Sequence, residues 1–125
     1  MIRWVQVRNR SKGGSPVIRA RWCESFACKL RGLTFRRHLP ENEGLLLVEA
    51  GESRVGTSIH MWAVFFSIGV AWLDSEARVV DCRLALPWRA YIPASPARYV
   101  LEGTASMLDR VAVGDVLEWV DETSG

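Results

Sequence analysis

The residues of this 125-residue chain with chemistry to offer are two histidines, three cysteines and an aromatic–arginine pair on a proline-rich stretch. His60 lies inside an apolar segment, where a neutral imidazole could accept a proton or hydrogen-bond a ligand; the plainer alternative is a core histidine satisfied by a backbone carbonyl. Between residues 86 and 97 three prolines fix φ and remove backbone donors, which predicts an ordered, non-repetitive loop carrying Trp88 and Arg89, with Arg98 just beyond it. A guanidinium is a rigid fork for carboxylate or phosphate, and an indole is a flat face for an apolar ring or a cation. His60, Trp88, Arg89 and Arg98 are therefore the candidate ligand-binding residues. The competing packing role pairs each arginine with an acid such as Glu102 and places Trp88 in the core as a plug. On that expectation Trp88→Ala costs about 3 to 5 kcal/mol.

Other constellations point away from familiar mechanisms. The chain has no G-x-x-x-x-G-K-[ST] loop, no G-x-S-x-G elbow, no H-E-x-x-H helix and no Gly-rich dinucleotide turn. His38 and His60 are too few for a histidine-based metal site, and the nearby acids are not spaced as ligands, so neither a metal nor a cofactor is expected and no catalytic residue is assigned. Cys23, Cys28 and Cys82 are an odd number without scaffold spacing, which predicts reduced thiols, no disulfide among the three, and a cytoplasmic location. Cys28, beside Lys29, is read as a structural thiol rather than an activated one.

Charge is unevenly spread. Residues 1–40 hold ten Lys or Arg against the single acid Glu24, while residues 41–125 hold six against thirteen. Arg3, Arg8, Arg10, Arg19, Arg21, Arg31, Arg36 and Arg37, interleaved with Trp4 and Trp22, could hold phosphates and stack bases. With pI near 8.6 and so many acids, the expectation is instead that the two parts of the chain pack together and offset each other's charge.

The elements that must position these groups are mostly strands. Ile2–Arg8 and Val17–Trp22 flank the turn-rich 9–16 and predict a hairpin in which Ile18, Ala20 and Trp22 share one face while Arg19 and Arg21 face water. Ser25 can cap a helix over 25–32, and 104–111 permits a second. Leu45–Val48 reads as a central strand, with further strands near 59–65, 68–73, 78–85, 98–102 and 115–120 and a tight turn at Asp74-Ser75-Glu76. The fold class is α+β, mostly β: a single domain over 1–125 built as a small curled antiparallel sheet or barrel of about seven strands with two short helices. The longest apolar stretch, Met61–Leu73, is interrupted and too short to span a bilayer, and Met1 leads into the alternating first strand rather than a signal peptide.

Leu30-Arg31-Gly32-Leu33, Leu39-Pro40, Gly44–Val48, Ile59-His60-Met61, Val70–Asp74, Pro87-Trp88-Arg89, Pro96–Glu102 and Gly114-Asp115, in that order and spacing, resemble the bacterial family known as domain of unknown function 192 over about residues 17–120. The resemblance implies a β-rich domain and carries no agreed activity. Where the family pattern has a basic residue, a proline and an aspartate, this chain has Phe65, Ser67 and Gly69. Positions 65 and 69 would share a strand face, so Phe65 is expected to fill space over the gap at Gly69.

The reading that follows is a non-catalytic module binding a small molecule or a protein, without membrane association. One alternative is a small enzyme using a polar cleft near His60 and the 86–98 loop, with Glu102 as its carboxylate. The other is a weak nucleic-acid binder using the Arg-rich N-terminal third.

Overall fold

The computed structural model describes residues 2–25, 28, 39–61 and 63–122. Its strands are β1 (Trp4–Asn9), β2 (Ser15–Cys23), β3 (Glu43–Ser53), β4 (Ile59–His60), β5 (Ile68–Leu73), β6 (Val79–Ala85), β7 (Ala90–Tyr91), β8 (Ala97–Gly103) and β9 (Leu117–Asp121). Seven form one sheet in the order β6-β5-β8-β3-β2-β1-β9, and β4 pairs with β7 as a separate two-stranded piece. The sheet curls into a half-barrel. Its two edge strands approach at one end, where Arg78 bridges Val116, Val79 N–H donates to the Asp115 carbonyl and Leu117 N–H donates to that of Ala77.

Alternation in the strands produces the two layers. Val5 and Val7 of β1, Ile18 and Ala20 of β2, Leu46 and Val48 of β3 and Tyr99 and Leu101 of β8 fill the inner layer with Met107 and Leu117, while Arg19 and Arg21 stay half-exposed as alternation predicts. The outer layer collects Leu45, Ile68, Val70, Trp72 and Val100 beneath Ile59, Met61 and Val64. Every residue of β5 is buried because both layers meet on it, which is why 68–73 is a continuous apolar run. Trp72 has no exposure and satisfies its indole by donating to the Thr57 carbonyl at 2.8 Å.

Several expectations are corrected. The sheet is not purely antiparallel, because β2 and β3 pair in parallel, Arg19 opposite Glu43 through Cys23 opposite Leu47. The segment 59–65 is strand only at Ile59–His60, after which a backbone turn at Ala63 (φ +56°) ends the pairing, and the 86–97 loop contains β7. The helix expected over 104–111 is a 3₁₀ turn at Ala105–Asp109, closed by Met107 N–H to Thr104 and Arg110 N–H to Met107; inserting Met107 into the inner layer takes one turn and no more. The helix expected over 25–32 falls outside the described residues except at Ser25 and Cys28, where Cys28 N–H donates to Ser25 Oγ at 3.1 Å as a capping serine requires.

The absence of disulfides is also overturned. Cys23 and Cys28 are joined, their Cα atoms 5.7 Å apart; Cys82 is the free thiol. That pair removes the thiol argument for a cytoplasmic location. Among the described residues no helix is long and apolar enough to cross a membrane.

Gly69 does not sit under Phe65. A Cβ there would lie 2.7 Å from the Thr104 carbonyl and 3.1 Å from Leu108 Cγ, so the glycine admits the 3₁₀ turn onto β5, while Phe65 is exposed. Gly69→Ala should therefore destabilise by about 1 to 3 kcal/mol in denaturant titration. Phe65→Arg should not rescue Gly69→Asp, the two effects adding within about 0.5 kcal/mol. Thiol titration of the unfolded, unreduced chain should find one reactive cysteine, Cys82. In the folded chain burial, reinforced by Asp81, pushes that thiol's pKa up and should slow its alkylation.

Candidate functional site

Three of the four candidate residues meet at one corner of the outer layer. β4 and β7 pair Ile59 with Tyr91 and His60 with Ala90; Met61 N–H then donates to the Arg89 carbonyl at 2.6 Å, and Trp88 N–H donates back to that of Met61 at 2.7 Å. Ile59 and Met61 point down onto β5 and β8, so His60 between them points outward and is exposed, which removes the core-histidine alternative. Trp88 is no core plug either. It is 50% exposed, with Phe65 at 57%, and the two rings meet edge to face with centroids 5.9 Å apart. Aromatic type alone does not say which way a ring points, and the main-chain bond to Met61 turns this one out.

Trp88 has φ +63°, a left-handed conformation in which a side chain crowds its own backbone. With Ala63, two non-glycine residues within this short connection are held in a conformation costing about 1 to 3 kcal/mol each. Arg89 is exposed beside them. Phe65 is the member that sequence reasoning assigned to packing.

Arg98 is not at this corner. It lies on β8, where Nε donates to the Glu49 carbonyl at 3.0 Å and the guanidinium sits 5.2 Å from the Tyr99 ring centroid. It makes no pair with Glu102.

Glu102 is instead buried, 6% exposed, in the cross-strand row Trp4, Arg21, Leu45, Glu102, Val70, Arg83. Its direct neighbours in that row are the apolar Leu45 and Val70, and burial raises its pKa to about 7. His60 points away from the layer that Glu102 faces, so the imidazole–carboxylate pair that the enzyme alternative needs does not form. Among the described residues no three His, Cys, Asp or Glu side chains cluster as metal ligands.

Two of the N-terminal arginines, Arg3 and Arg19, are engaged with acids and indole rings. Arg3 forks onto Asp121 at 2.6 and 3.2 Å, and Arg19 donates to Glu122 at 2.6 Å and Glu43 at 3.0 Å. Their guanidinium groups also cover Trp22 at 3.9 Å and Trp4 at 3.8 Å, the two rings a nucleic-acid reading would leave open. The offset of basic against acidic parts of the chain is thus direct. Arg31, Arg36, Arg37 and His38 lie outside the described residues.

The chain is a small β domain built as a half-barrel sheet whose outer layer is capped by a two-stranded piece. Two solved structures are similar to it in overall fold: one from Sinorhizobium meliloti 1021 described as a "putative transcription regulator" (TM-score 0.80, 19% identity, 95% of this chain and 94% of that one), and one from Novosphingobium aromaticivorans described as a protein of unknown function (TM-score 0.71, 22% identity, 94% and 85%). At those identities the likeness shows the fold alone.

Residues 7–119 match the model of DUF192, described as "Uncharacterized ACR", and the chain belongs to that family. It is 34% identical over 113 residues to the UPF0127 protein TK1120 of Thermococcus kodakarensis, covering 89% of this chain and 71% of that protein. It is 35% identical over 113 residues to the UPF0127 protein PF1050 of Pyrococcus furiosus, covering 89% and 95%. These relatives are archaeal, so the expectation of a bacterial protein is not supported.

The Glu102 carboxyl makes a pH prediction. Its folded pKa is raised above the ordinary value, so its contribution to stability is fully present below about pH 4.5 and is lost as pH rises through about 7. Glu102→Gln should be nearly neutral at pH 5 and more stable than the parent at pH 8, by about 2 to 3 kcal/mol in guanidinium titrations. An unchanged difference between the two pH values would show that the carboxyl is not desolvated.

Proposed function

We propose that the chain is a non-catalytic binding module whose contact surface is the Trp88–Phe65 corner. The observation that carries the reading is the half-exposed Trp88 ring at φ +63°, its backbone held by the bond from Trp88 N–H to the Met61 carbonyl and the adjoining bond from Met61 N–H to the Arg89 carbonyl. Exposing an indole forgoes burial free energy and the left-handed backbone adds strain; a fixed, outward ring is the return. With Phe65 at its edge and Arg89 and His60 alongside, the surface suits a ligand that presents a flat apolar or cationic group together with an anionic one. The outward His60, separated from Glu102, supports binding over proton transfer.

The test is a thermal-shift screen of small molecules on the parent, on Trp88→Ala and on Phe65→Ser. Both variants should fold, with Trp88→Ala losing about 1 kcal/mol, the scale of its edge-to-face contact rather than of a core ring. A compound at about a hundred times its Kd should stabilise the parent by about 2.7 kcal/mol and neither variant by as much. Hits that stabilise all three proteins equally, or no hit that depends on either ring, would sink the proposal.

A further inference from the structure

We infer a second site, on the opposite part of the sheet, that binds a small apolar monocarboxylate on Arg21. A cleft of about 280 Å³ opens there, lined by Ile2, Trp4, Arg21, Leu39, Glu43 and Leu45 among others, a size at the lower end for small-molecule pockets. Its base is part of one cross-strand row: Trp4 of β1 pairs with Arg21 of β2, which pairs with Leu45 of β3. Directly paired residues place their side chains on the same face, so an indole, a guanidinium and an isobutyl group stand in line.

Two of the cleft's neighbours are fixed before any ligand arrives. Arg19, two residues along β2 on the same face, is anchored by Glu43 and Glu122 and lies 3.8 Å from the centre of the Trp4 ring. The Glu122 bond raises the Arg19 pKa and lowers that of Glu122, so the anchor stays ionised across the neutral range. Arg21 is different. Among the described residues its side chain takes part in no hydrogen bond, ion pair or ring contact, although it is only half-exposed and an acid, Glu43, lines the same cleft. Glu43 is already committed to Arg19, leaving the Arg21 fork as the open cation.

The ligand class follows from what surrounds that fork. Among the described residues that line the cleft Arg21 is the single cation, and one guanidinium satisfies one carboxylate in bidentate fashion. Glu43 opposes a second negative charge, which disfavours phosphate. Ile2, Leu39, Leu45 and the Trp4 ring offer apolar walls for the body of the molecule.

The experiment is a titration of the ¹⁵N-labelled chain with benzoate and with hexanoate, read at the Trp4 indole and the Arg21 side chain. Benzamide and inorganic phosphate are the controls. Both carboxylates should shift Trp4 and Arg21 saturably, benzamide and phosphate should bind at least about tenfold more weakly, and Arg21→Gln should weaken benzoate at least about tenfold while Arg21→Lys retains part of the affinity. No saturation by about 10 mM, equal affinity in Arg21→Gln, or shifts confined to the Trp88 indole would overturn the inference. Because Trp4 and Trp88 give separate indole signals, failure here and failure at the Trp88 corner are distinguishable.

Discussion

A strand with water on neither face organises this molecule. β5 contributes Ala71 and Leu73 to the inner layer and Ile68, Val70 and Trp72 to the outer one. A sheet of seven strands can hide its inner side by curling on itself, but the outer side of β5 and its neighbours needs a cover. Residues 53–61, 63–66 and 86–97 supply it. Ile59, Met61 and Val64 are pressed onto Val70 and Val100, and the buried Trp72 indole is tied to the Thr57 carbonyl.

The cover is too short to be a regular sheet, and its irregularity is informative. β4 and β7 share two residue pairs before the chain must turn, and the turn is made by alanine and tryptophan where glycine would be easier. The bonds between Met61 and the Trp88–Arg89 backbone hold the turn against that strain. The same cover that buries β5 presents Trp88, Phe65 and His60 outward.

Sequence reasoning recovered what depends on local pattern. β5 was legible as an apolar run between turn formers, and β2 through its alternation of Ile18 and Ala20 with Arg19 and Arg21. It failed where the answer lies in a distant partner. Nothing near Trp88 shows that its N–H is taken by Met61, nothing near Gly69 shows that Thr104 and Leu108 come against it, and a separation of five residues does not reveal that Cys23 and Cys28 are bonded. The four candidate residues were likewise a mixed set. Three converge because β4 pairs with β7, whereas Arg98 is drawn to Glu49 along β8. Arg21 was set aside as part of a solvated face, since its lack of an acid partner is visible only once Arg19 is seen to hold both Glu43 and Glu122.

The position of β1 has a kinetic consequence. It lies between β2, its neighbour in the chain, and β9, with Val5 opposite Asp121 and Asn9 opposite Leu117. The hairpin of β1 and β2 closes a short loop and can form early, but the far side of β1 keeps its row of backbone donors and acceptors bare until residues 117–121 have been synthesised and brought back across the whole domain. On the ribosome this sheet therefore has an unprotected side until β9 has emerged, and chaperone contact with the nascent chain should concentrate on that first strand.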